Sequence, residues 1–430
     1  MTILVLSGLF MFFMFMGMPV AFAMGVPALA YIIMLGGDIN LVFIPHHMAG
    51  PLFNYILIAV PAFLLMGRML NSCGVTDMLL EFATAIVGRF KGGMAYSNVL
   101  SSMFFASMSG TAVGDAGGLG VVCVRMMEKS GYRKDYAAGL SAASSILGPI
   151  IPPSVVMVLV GAGAQISVGR LFLGGVFPGL LMTFALLAQI FIMAKFTKEG
   201  KTWPVTKMNL RDSVMSFVKA VPALFSPVII VGGIIGGWVT PTEAAILAIN
   251  YSILLGIIYR KLTFKLLIKT LMDTVEASGT FLIITACAGF FTWMVTIEGL
   301  PQLFGQILSP VANTSQLVCV LILAVFFVTV GLFMDTAAAV ILLTPTLMPI
   351  IVSMGIDPIY FGIVMTVSLC TGIITPPFGI CNFVLADATN LSVSTVTRES
   401  SKYVPAMIFT LFLVVIFPEL ILWLPRLAFG

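Results

Sequence analysis

GPIIPPS at 148–154 and GIITPPF at 372–378 decide how this chain reads. Each carries a glycine, an isoleucine two residues on, and a Pro-Pro pair two residues after that. Each lies inside a long apolar stretch. A proline within a helix removes a backbone donor and strikes the preceding turn, so a pair of them ends one helix and starts another. The first half-helix then offers free carbonyls at its C-terminus, and the second offers free N–H groups and a positive dipole end. Carbonyls suit a hard cation such as Na⁺, and N–H groups suit a carboxylate.

The rest of the chain gives these breaks a membrane setting. Of its 430 residues, 60% are hydrophobic and 9% charged, against about 25% charged in soluble domains. Apolar runs of roughly 18 or more residues recur from end to end, which predicts a polytopic α-helical membrane protein. The longest polar stretch, 196–219, leaves no room for a soluble domain. The opening MTILVLSGLFMFFMFMG has no basic leader and reads as a first span, not a cleaved signal. The net charge of +4 is spread over loops and does not point to nucleic acid. Six cysteines without C-x-x-C spacing read as small hydrophobes. His46-His47 reads as a short interfacial loop and not a metal site.

The two breaks belong to an internal duplication. The spacing that superimposes them also pairs Tyr136 with Tyr360, and nearby spacings pair Met18-Pro19 with Thr240-Pro241, Gly74 with Gly299 and Asp115 with Asp335. The repeats are 1–210 and 211–430. The first predicts spans near 2–17, 19–36 and 50–72, an amphipathic helix at 76–89, paired segments 92–107 and 113–128, an interrupted helix over 134–165, and a span at 171–195. The second predicts 218–237, 241–260, 275–298, an amphipathic piece at 301–311, paired segments 315–331 and 336–352, an interrupted helix over 358–388, and a span at 404–424. If 92–128 and 315–352 are re-entrant hairpins, each repeat crosses five times, and an odd number inverts the second copy. Lys and Arg gather in cytoplasmic loops. With the N-terminus outside, all of the 21 basic residues except Arg170 and Arg426 fall inside. The C-terminus then lies outside as well.

Irregular backbone at membrane depth survives only where protein buries it or a cavity lines it. The hairpin tips supply such cavities. The first reads Ser107-Met108-Ser109-Gly110-Thr111-Ala112-Val113-Gly114-Asp115, and the second Gly331-Leu332-Phe333-Met334-Asp335-Thr336. Inverted repeats bring each tip against its own interrupted helix. That gives two cation sites with substrate between them: Ser107, Ser109, Gly110, Gly148 and Ile151 at one, Gly331, Thr336, Gly372 and Thr375 at the other. Thr111, Asp115, Ser154, Asp335 and Asn382 are the candidates for substrate contact or coupling, and Asp387 is a further cavity candidate. For Asp115 and Asp335, helix capping, a charge beside Na⁺, and proton carriage all stand open. Glu243, after Thr240-Pro241-Thr242, is expected to cap a span. The glycines of 116–120 serve packing and not a dinucleotide, since no βαβ pattern surrounds them. Arg125 is expected at the cytoplasmic side, and no basic residue falls at the midplane. Carboxylate recognition is therefore assigned to helix N-termini and bound cations.

These motifs, with GMPVAFAMG, SMSGTAVGDAGGLG, GGWVTPTEAA and GLFMDTAAAVILLTP, make the chain similar over nearly its whole length to the large membrane subunit of TRAP (tripartite ATP-independent periplasmic) transporters. The resemblance implies an elevator-type carrier in a bacterial inner membrane, with amphipathic helices as arms. It implies Na⁺ coupling and uptake of an organic acid, such as a sialic acid or a C4-dicarboxylate. It also implies a periplasmic binding protein and a separate small four-helix membrane subunit. A stand-alone Na⁺- or H⁺-coupled anion carrier is the alternative. An intramembrane enzyme lacks GxGD, HExxH and a Ser/His pair at depth, a channel fits the acid-bearing tips poorly, and no Walker motif supports ATP drive.

Overall fold

The computed structural model describes residues 2–34, 42–205, 209–376 and 379–430. Pro377, the second proline of the second break, lies outside them, as does Lys207 of the basic cluster. The described residues form helices joined by turns.

The first half opens with α1 (Thr2–Phe15), α2 (Val20–Met34) and the short α3 (Phe43–Ala49). Two 3-10 turns, Gly50–Phe53 and Tyr55–Ile58, lead into α4 (Ala59–Ser72). Then come α5 (Val75–Val87), α6 (Gly93–Ser109) and α7 (Ala112–Asp115). A π turn (Ala116–Gly120) joins α7 to α8 (Val121–Lys129), and α9 (Lys134–Ser145), α10 (Val155–Ala164) and α11 (Val168–Phe196) complete the half. The second half follows with α12 (Leu210–Ile235), α13 (Pro241–Ile258), α14 (Phe264–Ile297), α15 (Leu300–Thr314), α16 (Gln316–Gly331) and α17 (Thr336–Ser353). It ends with α18 (Pro358–Gly372), α19 (Ile380–Thr389), α20 (Val393–Ser400), α21 (Val404–Ile416) and α22 (Glu419–Phe429).

Among the described residues, 7 helices are long and apolar enough to cross a membrane. Expected breaks and pairs appear where turn chemistry dictates them. Gly110 takes φ 68 and ends α6, a conformation that costs a glycine nothing. Glu243 closes a capping box with Thr240 at the start of α13.

Several elements differ from the sequence reading, among them α12, which begins at Leu210 and not 218. α14 begins at Phe264, not 275, because Thr263 accepts from Leu266 N at 3.2 Å and carries the helix through polar residues that the apolar window excluded. Its 34 residues span about 50 Å. The predicted span 404–424 is two helices, parted at Phe417 and Pro418. The short helices α3 and α20 were not anticipated. α20 is mostly polar and packs along α9.

Two packed groups position the site. α4, α13, α12 and α14 pack on one another, with α2 against α14. α6, α8, α9, α11 and α16 to α22 form the second group, held by the pairs α16–α18, α9–α20 and α11–α22. The halves are joined deeply within this second group. Tyr403 donates its hydroxyl to that of Tyr136 at 2.9 Å, both side chains buried. Arg133 pairs with Asp135, with Glu199 at 3.2 Å and with the buried Glu399 at 3.7 Å, and Lys402 also bonds Glu399.

Candidate functional site

Each tip is seated on its own break. At the first, Val155 N donates to Gly110 O at 3.2 Å, so the start of α10 is tied to the turn between α6 and α7. A Cβ on Gly148 would lie 2.8 Å from both Thr111 O and Asp115 Oδ2. Only a glycine lets the broken segment approach so closely. At the second, a Cβ on Gly372 would lie 2.7 Å from Gly331 Cα and would strike Val328 O.

The residues of the first tip divide the polar work. Thr111 has extended backbone and caps α7, accepting from Gly114 N at 3.2 Å. Asp115 is therefore not the cap. It is 1% exposed and turns inward, where Oδ1 accepts from Ser109 Oγ in a short hydrogen bond. Its Oδ2 is buried and has no hydrogen-bond partner among the described residues. An ionised oxygen left so is costly and calls for a partner. Thr111 O and the Gly148 backbone lie beside it. Thr111 O and the Asp115 carboxylate oxygen thus face the same glycine, and oxygen donors of this kind suit a hard cation.

At the second tip Asp335 does cap. Its side chain accepts from Ala337 N at 2.9 Å at the start of α17. Thr336 is buried near Cys370 Sγ, at 3.9 Å. Thr375 donates to Thr371 O at 2.7 Å, and Asn382 Nδ2 donates to Ile374 O at 3.0 Å. Asn382 is fully buried and its Oδ1 has no partner among the described residues.

A cavity of about 550 Å³ lies where the tips meet. Ser109, Thr111, Asp335 and Thr336 line it, with Pro149 from the first break. Ser107, Gly110, Asp115, Gly148, Ile151, Gly331, Gly372 and Thr375 lie behind the surface, in the tips and breaks themselves. The Ser107 hydroxyl donates to Phe104 O at 2.6 Å, and the Ile151 side chain packs on Gly179 of α11. Three expectations are corrected. Ser154 does not reach the cavity, because its buried hydroxyl donates to Pro149 O at 2.6 Å and accepts from Met157 N at 3.2 Å. Asn382 faces the second break instead of the cavity. Asp387 is exposed near the end of α19 and does not line the cavity.

The other wall was not foreseen. Leu64, Gly67, Arg68, Asn71 and Ser72 line it from one face of α4, and Thr270, Asp273, Ala277 and Thr280 from one face of α14. The spacing of three and four residues along α4 is the signal that was available. Ser72 and Thr270 hydroxyls lie 3.3 Å apart and join the two helices. A second cavity, of about 890 Å³, lies further along α14 and α17 and has no charged residue in its lining.

Comparison with known proteins adds the family. Residues 7–420 match the family described as the tripartite ATP-independent periplasmic transporter, DctM component. The chain is 36% identical over 419 residues to the sialic acid TRAP transporter large permease protein SiaM of Vibrio cholerae, covering 97% of each. It is 34% identical over 374 residues to the C4-dicarboxylate TRAP transporter large permease protein DctM of Pseudomonas aeruginosa, covering 87% of each. These relatives are permeases, not enzymes. In fold the chain resembles the crystal structure of the YdaH transporter of Alcanivorax borkumensis, with a TM-score of 0.64 over 96% of this chain and 98% of that one, at 13% identity.

Proposed function

The chain belongs to the DctM family of tripartite ATP-independent periplasmic transporters, and from that membership we propose that it is the carrier of a Na⁺-driven organic-acid importer. It is a multi-pass membrane protein and not an enzyme. The acid belongs to the sialic acid or C4-dicarboxylate class, as the names of its relatives suggest. A periplasmic binding protein delivers it, and a small four-helix membrane subunit completes the complex in the bacterial inner membrane.

The observation that carries this reading is the junction of both tips at one cavity, with Asp115 Oδ2 buried and unpartnered behind it. Thr111 O, Asp115 and the Gly148 segment hold Na⁺ at the first tip. Gly331, Thr336, Gly372 and Thr375 hold it at the second. The ion supplies the energy of its gradient and positive charge beside a carboxylate substrate. Ser109, Thr111 and Thr336 orient the acid in the cavity.

Movement is assigned to the second packed group. The repeats 1–210 and 211–430 are inverted, with re-entrant hairpins at α6–α8 and α16–α17 and both chain termini on the periplasmic face. α6 to α11 and α16 to α22 shift together as an elevator against the scaffold of α1, α2, α4 and α12 to α14, with α5 and α15 as arms. Small residues at the sliding surface support this. A Cβ on Gly67 of α4 would lie 2.8 Å from Met108 O at the first tip.

The test is uptake of radiolabelled sialic acid and succinate into proteoliposomes holding the carrier and its small subunit, with binding protein outside. Accumulation that needs both an inward Na⁺ gradient and the binding protein is expected. Uptake that is indifferent to Na⁺ removes the cation sites, and uptake without the binding protein makes this a stand-alone carrier.

A further inference from the structure

Any anion that enters the cavity between the tips meets a charge problem. The lining holds two acids, Asp273 and Asp335. The helix N-termini at the first break and at both tips already have donors engaged within the protein. At α10, Val155 N donates to Gly110 O and Met157 N to Ser154 Oγ. At α17, Ala337 N donates to Asp335. At α7, Gly114 N donates to Thr111 Oγ1. A donor held within the protein offers little to a ligand.

One basic side chain lines the cavity, that of Arg68. It makes no ion pair among the described residues, although Asp273 shares the same cavity. Its neighbour Gly67 is pressed against Met108 and Ser109, so the arginine stands directly beside the first tip. Asn71, one turn further on, lies against the other arm, where a Cβ on Gly118 would be 3.3 Å from Asn71 Nδ2. Arginine presents a planar fork of donors that matches a carboxylate in two places.

We propose that Arg68 binds the carboxylate of the transported acid in the arrangement seen here, and that it does so only on the cytoplasmic side of the cycle. The second half of the statement rests on the elevator reading above. α4 belongs to the scaffold, and Arg68 lies near its cytoplasmic end. The tips come alongside Arg68 only when they have moved inward. Arg68 therefore sets the affinity of the inward-facing carrier for its acid, and hence how strongly accumulated product slows or exchanges with further uptake. It leaves loading from the periplasm untouched.

The experiment uses the reconstituted complex with loaded binding protein outside and increasing unlabelled sialic acid or succinate inside. In Arg68→Gln the internal concentration that half-affects uptake should rise by roughly ten- to a hundredfold, the range for a hydrogen bond to a charged group. The external concentration of loaded binding protein that half-saturates uptake should stay unchanged. Arg68→Lys keeps the charge and loses the fork, and should recover part of the internal affinity. An unmoved internal value overturns the proposal, as does a shift of internal and external values together. Wild-type protein gives a reading free of any folding defect: the uncharged amide of the same acid, placed inside, should be weaker by a similar factor, and equal potency overturns the proposal. If wild type accumulates neither acid, the proposed function falls and this inference with it. Na⁺-indifferent uptake by wild type removes only the coupling ion and leaves the Arg68 test standing.

Discussion

The two tips carry an aspartate at matching places and use it in different ways. At the first, Thr111 caps the following helix, and Asp115 is released to face the interior with one oxygen on Ser109 and one unpartnered. At the second, no hydroxyl stands at the cap, and Asp335 itself takes that work on Ala337 N. The cap stands four residues before the acid at the first tip and is the acid itself at the second. The difference teaches that acids at similar places in two tips need not share a role. A group bonded by backbone N–H is a structural element, and a buried group with a free oxygen asks for a ligand.

The sharpest way to break this comparison is to neutralise each acid in turn. Asp115→Asn should lower Na⁺-driven uptake by on the order of a hundredfold or more, since an intramembrane carboxylate is functional by default and one oxygen of this one is left unpartnered among the described residues. The check is uptake against Na⁺ concentration at matched expression. Asp335→Asn keeps an acceptor at the cap and should leave folding stability unchanged, while Asp335→Ala should cost about 1 kcal/mol. Asp335→Ala should also damage uptake more than a lipid-facing Leu→Ala. Thermal unfolding of the purified carrier separates these. If Asp115→Asn and Asp335→Asn behave alike in both assays, the assignment of unlike roles is wrong.

The glycines behind the tips sharpen the contrast at smaller size. Gly372→Ala sets a Cβ against the Gly331 backbone, with no side chain free to yield, and should cost roughly 1–3 kcal/mol of stability. Gly148→Ala meets Asp115 Oδ2 as well as Thr111 O. It should shift the Na⁺ dependence of uptake in addition, measurable as a raised half-maximal Na⁺ concentration. The smallest effect lies at the start of α9. Burial pushes the Asp135 carboxyl up, but bonds from Arg133 and Tyr136 N hold it below its usual value overall. A depressed carboxylate stabilises above its unfolded value, near pH 3.9, and this stability is lost as pH falls through the folded value. Asp135→Asn should flatten the acid limb of thermal stability slightly, because Arg133 is half exposed.

Much of this was legible in one dimension. Apolar runs, paired prolines and turn glycines are local signals, and helix existence, the two breaks and the two tips follow from them. The boundaries that failed were those where an apolar window and a helix part company, as at Phe264, where capping carries α14 through charged residues. Ser154 was misread because a polar side chain near a break looks the same in sequence whether it serves a ligand or bonds its own backbone.

Local chemistry thus determined from sequence alone that this chain is a helical membrane protein with two broken helices facing two polar tips. Tertiary structure decided which oxygen stays unpartnered, which helix N-termini are already engaged, and that α4 and α14 supply the second wall of the cavity. The physical reason is that hydrogen-bond satisfaction and burial depend on residues far apart in the chain. Arg68 is a loop-edge cation until the first tip is packed against Gly67.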